Sequence, residues 1–166
     1  TIGAMARHLS SPVMVGRAAE LAALHDVLDD VEHGIPAMVL VGGEAGVGKS
    51  RLLAEFAAGA RARGALVAVG GCLELHEGGM SYAPFRALLR SILAQVPPDA
   101  YVAQAGEVGT MLAAHLAGIP EPILAAAPPI PDDQARVWEA VLAVGGRLGA
   151  AAPLVLAVED LHAADP

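Results

Sequence analysis

Continuous apolar runs alternate along the chain with apolar residues at helical spacing. AMVLV at 37–41, ALVAV at 65–69 and LVLAV at 154–158 have the form of short strands covered on both faces, as in parallel sheets. Ahead of the first run, Leu21, Leu24, Leu28 and Val31 fall on one helical face, which Gly34 and Pro36 end. Leu52, Leu53, Phe56, Ala57 and Ala60 trace a second helix, with Gly64 as its stop and Arg61 and Arg63 in the last turn, where cations suit the dipole. Pro84 opens a third, carrying Phe85, Leu88, Leu89, Ile92 and Leu93, which stops before Pro97 and Pro98. Val108, Met111, Leu112, His115 and Leu116 predict a short fourth helix. Asp132 caps a fifth, whose Val137, Val141, Val144 and Leu148 line one face. The rest is a short apolar stub at 13–17, a loop at 73–79, and a surface connection marked by five prolines between 120 and 131. Strands alternating with helices, without an internal repeat, predict an α/β fold with a mainly parallel sheet between helical layers.

At 166 residues the chain suits one domain with a real hydrophobic core. The hydrophobic fraction is 55% but aromatics are only 3%, so packing rests on Leu, Val and Ile. A net charge of −8, from 10 basic against 18 acidic residues, opposes a duplex-binding surface, and direct nucleic-acid binding by this chain is not expected. The single cysteine excludes an internal disulfide and fits a reducing cytosol. The longest apolar run, 148–158, contains Pro153 and is too short to span a bilayer, and no signal peptide is found. Thr1 to Ala4, ahead of Met5, read as an expression remnant within an N-terminal extension of residues 1–12.

The chemistry concentrates in GGEAGVGKSR at 42–51, which from Gly43 completes the pattern GxxxxGK[ST]. Gly43, Gly46 and Gly48 let the backbone of Gly43, Glu44, Ala45, Gly46, Val47 and Gly48 turn tightly enough for successive amides to face phosphate oxygens. The helix opening there adds its positive end. Lys49 supplies a charge for the β and γ phosphates, and the Ser50 hydroxyl a magnesium ligand. Glu44 reads as a solvated loop residue, because a carboxylate aimed at phosphates repels them. Arg51 either touches a phosphate or pairs with an acid of its own helix, the second being slightly favoured. The strand LVLAV runs into Glu159 and Asp160, where Glu159 would hold the magnesium shell and Asp160 would orient the attacking water. Alone such a strand end is a weak pattern, but following a complete phosphate loop it is much stronger. Asp is shorter than Glu at that second position, which predicts slow turnover at best.

Four segments together are similar to the ATP-binding domain of the signal-transduction ATPases with numerous domains, and more narrowly to the AAA-type module of large LuxR-type transcriptional regulators. They are VGRAAELAAL at 15–24, VGGEAGVGKSRLLAEF at 41–56, GGCLELHEGGMSYAPFRALL at 70–89 and LVLAVEDLHAADP at 154–166. The resemblance implies a P-loop NTPase-like three-layer α/β/α fold over residues 13–166, with ATP or ADP and magnesium as ligands. It implies that Val15, Gly16 and Arg17 lie near the adenine and ribose, and that the module is a switch in a bacterial, cytoplasmic multidomain regulator that contacts DNA through a C-terminal domain. Ala163 departs from the family, which often has Trp there. The sequence ends at Pro166, after the Walker B strand. The polar sensor, the γ-phosphate arginine and the lid would follow that point, so a truncated domain that is inactive or nearly so is expected.

The implied strand order, 5-1-4-3-2, puts a strand from beyond Pro166 between the runs at 37–41 and 154–158. One of three remedies for that gap is expected: direct pairing of the two runs, a strand borrowed from a neighbouring molecule in self-association through the exposed sheet edges, or a partly disordered C-terminal end. Two other functions fit less well. A small phosphate-loop kinase needs an acceptor pocket and a lid of arginines, neither of which is found; a folded interaction piece unable to bind nucleotide is the third reading. Cys72 and His76 are two ligands at most and do not make a zinc site. Arg86 and Arg90 read as a solvated helix face.

Overall fold

The computed structural model describes residues 16–71, 83–114 and 134–161. The chain divides into two compact units, residues 1–58 and 59–166.

The first unit begins with α1, Ala18–Glu32. Arg17 is its N-cap, and the Arg17 carbonyl takes the Leu21 N–H at 3.0 Å, while Glu20 places a negative charge in the first turn. The helix closes as Gly34 predicts: the Gly34 N–H donates to Val31 and the Ile35 N–H to Asp30, the paired bonds of a Schellman ending. Leu28 is the fully buried member of the predicted face. The predicted strand at 37–41 is not formed. No described strand runs beside it, and Met38 and Leu40 stand 97% and 81% exposed. A strand is held by its ladder and by packing on its faces, and here the apolar run has no described strand on either edge and leaves Met38 and Leu40 uncovered. After the loop comes α2, Lys49–Ala62, with Leu52, Phe56, Ala57 and Ala60 buried on the predicted face; the Phe56 ring meets the edge of His25 at 5.5 Å. The last turn of α2 belongs to the second unit, and Gly64 closes it with the bonds that Gly34 uses for α1.

The second unit continues with β1 (Leu66–Gly71), α3 (Ala83–Leu93), α4 (Pro98–Leu112), α5 (Gln134–Ala151) and β2 (Leu154–Glu159). The two strands pair in parallel, from Leu66 opposite Leu154 to Gly71 opposite Glu159. The partner of the 154–158 run is therefore the 65–69 run, and direct pairing with 37–41 is not found among the described strands. This adjacency matches the 3-2 step of the implied order. α3 lies against β1 so closely that a methyl on Gly70 would sit 2.7 Å from the Pro84 carbonyl oxygen. α4 packs on α5, and Leu88, Leu89, Ile92, Tyr101, Leu112, Val144 and Leu148 meet in one core.

The outer edge of β1 is closed by side chains. The Val67 carbonyl accepts from Gln95 at 2.8 Å and from Arg61 at 3.1 Å, and the Val69 N–H donates to the Ser91 hydroxyl at 3.4 Å. Bonds that a neighbouring strand would otherwise make are thus met from α2, α3 and the turn after α3, which blunts the edge.

α4 is longer than the helix predicted around Met111 and begins ten residues before Val108, at Pro98. Its start carries ordinary signals, Pro98 at the first position and Asp99 in the first turn. Periodicity does not reveal this first half, because its inward face is Tyr101, Ala105 and Gly109, weakly apolar, and because Gly106 interrupts the helix at φ 67° and ψ −164°. Arg147 of α5 donates to the Ala105 carbonyl at 2.9 Å, next to this break. Asp132, Cys72, His76, the 73–79 loop and the proline-rich connection lie outside the described residues.

Candidate functional site

The phosphate-loop pattern lies wholly in the first unit. Its backbone folds over itself: a methyl on Gly43 would meet Cγ2 of Val47 at 3.1 Å and Cδ of Lys49 at 4.0 Å. Gly46 and Gly48 take φ of 79° and 89°, a region that side chains with a Cβ rarely enter, although a methyl at either would meet nothing within 4 Å. Backbone conformation, rather than crowding, therefore demands glycine at these two positions. The Lys49 ammonium reaches back across the loop and donates to the Gly43 and Glu44 carbonyls, each at 2.9 Å. Two of its three hydrogens are used in this way, leaving one to offer outward.

Ser50 is exposed on the first turn of α2, which contains no acidic residue, so nothing on that turn neutralises the positive helix end. Arg51 has its guanidinium 3.8 Å from the Glu55 carboxylate one turn on, the acid-pairing alternative, and its Nε is buried without a hydrogen-bond partner. Glu44 and Ala45 are exposed. Gly16 is exposed with φ 84°, and Val15 lies outside the described residues. Arg17 is brought to the loop: its guanidinium donates to the Val47 carbonyl at 2.7 Å. No residue-type pattern announces this contact, because the acceptor is a backbone oxygen.

The acidic pair lies in the second unit. Glu159 is the last residue of β2, half-buried, and Asp160 follows it, exposed. Asp160 adopts φ 55°, the one non-glycine residue with positive φ among those described. Asp tolerates this conformation through its short polar side chain, and here it turns the chain at the carboxyl end of a parallel strand pair. Among the described residues no group of three or more His, Cys, Asp or Glu could hold a metal on its own.

A loop of this geometry opening a helix is the arrangement of a phosphate binder, and the scan of family models decides which: residues 13–166 match the AAA ATPase domain. The chain belongs to the AAA ATPase domain family. No curated protein and no solved structure matches it. Membership in the AAA ATPase domain family implies a P-loop NTPase α/β fold and nucleotide binding, typically with magnesium. The residues present fit such ligands: glycines whose positive φ turns the backbone, an ammonium held against two loop carbonyls, a hydroxyl on the next residue and an unneutralised helix end. None of the described helices of this AAA ATPase domain is long and apolar enough to cross a membrane.

Proposed function

We propose that this AAA ATPase domain is an ATP- and ADP-binding regulatory module, a slow switch within a multidomain signalling protein. Gly43 to Ser50 hold the phosphates, with the Ser50 hydroxyl as magnesium ligand; Glu159 is the magnesium-shell acid of the strand end and Asp160 its water-orienting residue. The observation that carries the reading is the Lys49 ammonium gathered by the Gly43 and Glu44 carbonyls at the start of a helix with no first-turn acid. The positive φ at Asp160, at the end of β2, supports a role for the strand end beyond packing. The VGRAAELAAL and EDLHAADP segments support a LuxR-type transcriptional regulator in a bacterial cytoplasm, reaching DNA through a domain outside residues 13–166. Self-association through exposed sheet edges is part of the same proposal.

Calorimetric titration of magnesium ATP and ADP into the chain and into Lys49→Ala tests this. The wild-type chain is expected to bind both, the variant to bind roughly 10- to 100-fold more weakly, as loss of a charged hydrogen-bond donor implies, with little phosphate release from either. A second reading, an interaction piece unable to bind nucleotide, draws on the exposed and unpaired run that leads into the loop. Absence of binding to the wild-type chain selects it.

A further inference from the structure

Arg17 stands at the N-cap of α1 with φ −126° and ψ 27°, and its own carbonyl is engaged by the Leu21 N–H. Its backbone is therefore fixed to the first turn of a helix, and its side chain is half-buried. From there the guanidinium reaches 30 residues along the sequence to the Val47 carbonyl at 2.7 Å, the short distance of a charge-assisted hydrogen bond. The Val47 oxygen belongs to the same rigid plane as the Gly48 N–H, and this peptide is trans. In a trans peptide the C=O and N–H point in opposite directions, so a donor that holds the oxygen also aims the hydrogen. The angles that set this plane are ψ of Val47 and φ of Gly48, and Gly48, at φ 89°, lacks the Cβ that restricts other residues. A flip of the plane would turn a carbonyl, instead of an N–H, toward an anion.

From this geometry we infer that Arg17 is a positioning residue for phosphate: it orients the Val47–Gly48 peptide so that the Gly48 amide faces the ligand. The inference rests on the nucleotide-binding reading and departs from the placement of Arg17 beside the adenine and ribose. It ties the start of α1 to the anion site, so that a displacement of α1 reaches the phosphates through one bond.

The two roles separate when ligands with and without a base are compared. Magnesium ATP and magnesium tripolyphosphate are titrated into the wild-type chain, Arg17→Ala and Arg17→Lys, with circular dichroism confirming that each variant keeps its helices. The expected result is that Arg17→Ala weakens ATP and tripolyphosphate by the same factor, roughly 10-fold for one charged donor. Arg17→Lys, which keeps a donor, recovers part of the loss for both. The Gly48 amide proton shift on adding tripolyphosphate is expected to shrink in Arg17→Ala while those of Lys49 and Ser50 persist. A loss confined to ATP, or no loss with either ligand, overturns the inference and leaves the binding site standing. A wild-type chain that binds neither ligand overturns the nucleotide reading itself.

Discussion

The run AMVLV at 37–41 and the run LVLAV at 154–158 carry the same kind of side chain, yet the first lies exposed without a described strand beside it and the second is laddered to β1 residue by residue. Intrinsic strand preference spans only about 1 kcal/mol, so it cannot separate them. What differs is what lies alongside: β2 has β1 on one edge and receives packing from α3 and α5. β1 shows a third state, in which an edge without a described strand is closed by Gln95, Arg61 and Ser91. An apolar run thus becomes a strand when its backbone and at least one face are given partners, and side chains can serve for one edge.

The sharpest way to break this comparison is to put the same charge in both runs. Ala157→Asp buries a carboxylate on β2 and is expected to lower stability to urea by roughly 3 kcal/mol or more. Met38→Asp, on an exposed position, is expected to stay within about 0.5 kcal/mol of wild type. Equal, large losses would mean that the 37–41 run is packed in solution and that the contrast is false.

The same dependence on partners explains what the sequence could and could not disclose. Helices α1, α2, α3 and α5 were legible because their stop glycines, opening prolines and spaced Leu and Val are local, and the second and third strands because their runs are short and bounded. The backbone of the loop was legible at Gly46 and Gly48, since GxxxxGK[ST] ties residue type to backbone shape. The pairing state of 37–41 was not, because it depends on chain far away in sequence. The first half of α4 was hidden by an inward face of Tyr101, Ala105 and Gly109, and the Arg17 contact by an acceptor that every residue possesses.

A smaller effect tests the helical layer that supports β2. Gly106→Ala forces a side chain into positive φ and against the Arg147 guanidinium that holds the Ala105 carbonyl. The expected cost is about 1–2 kcal/mol in urea unfolding. Gly146→Ala on α5, where a methyl meets nothing within 4 Å, is expected to change stability in the opposite direction by about 0.5–1 kcal/mol, the helix preference of Ala over Gly. Matching losses at both positions would show that α4 has no real break at Gly106.

The smallest effect concerns Tyr101, which is fully buried in that layer and donates its hydroxyl to the Gly109 carbonyl at 3.0 Å. Burial pushes this hydroxyl up from 10.0 to about 12, because the ionised form is poorly solvated inside the core. The folded state therefore keeps its proton where the unfolded chain has begun to lose it. Below pH 10 both states are protonated and the contribution is whole; between pH 10 and about 12 stability falls as pH rises. Tyr101→Phe is expected to cost about 0.5–1 kcal/mol at neutral pH, since the Gly109 carbonyl keeps its helical bond from the Ala113 N–H. It is also expected to flatten that alkaline slope. Urea midpoints of both proteins from pH 7 upward measure the difference. Parallel curves would mean that water already reaches Tyr101, and the layer credited with holding β2 in place would then be too open to distinguish it from the exposed run at 37–41.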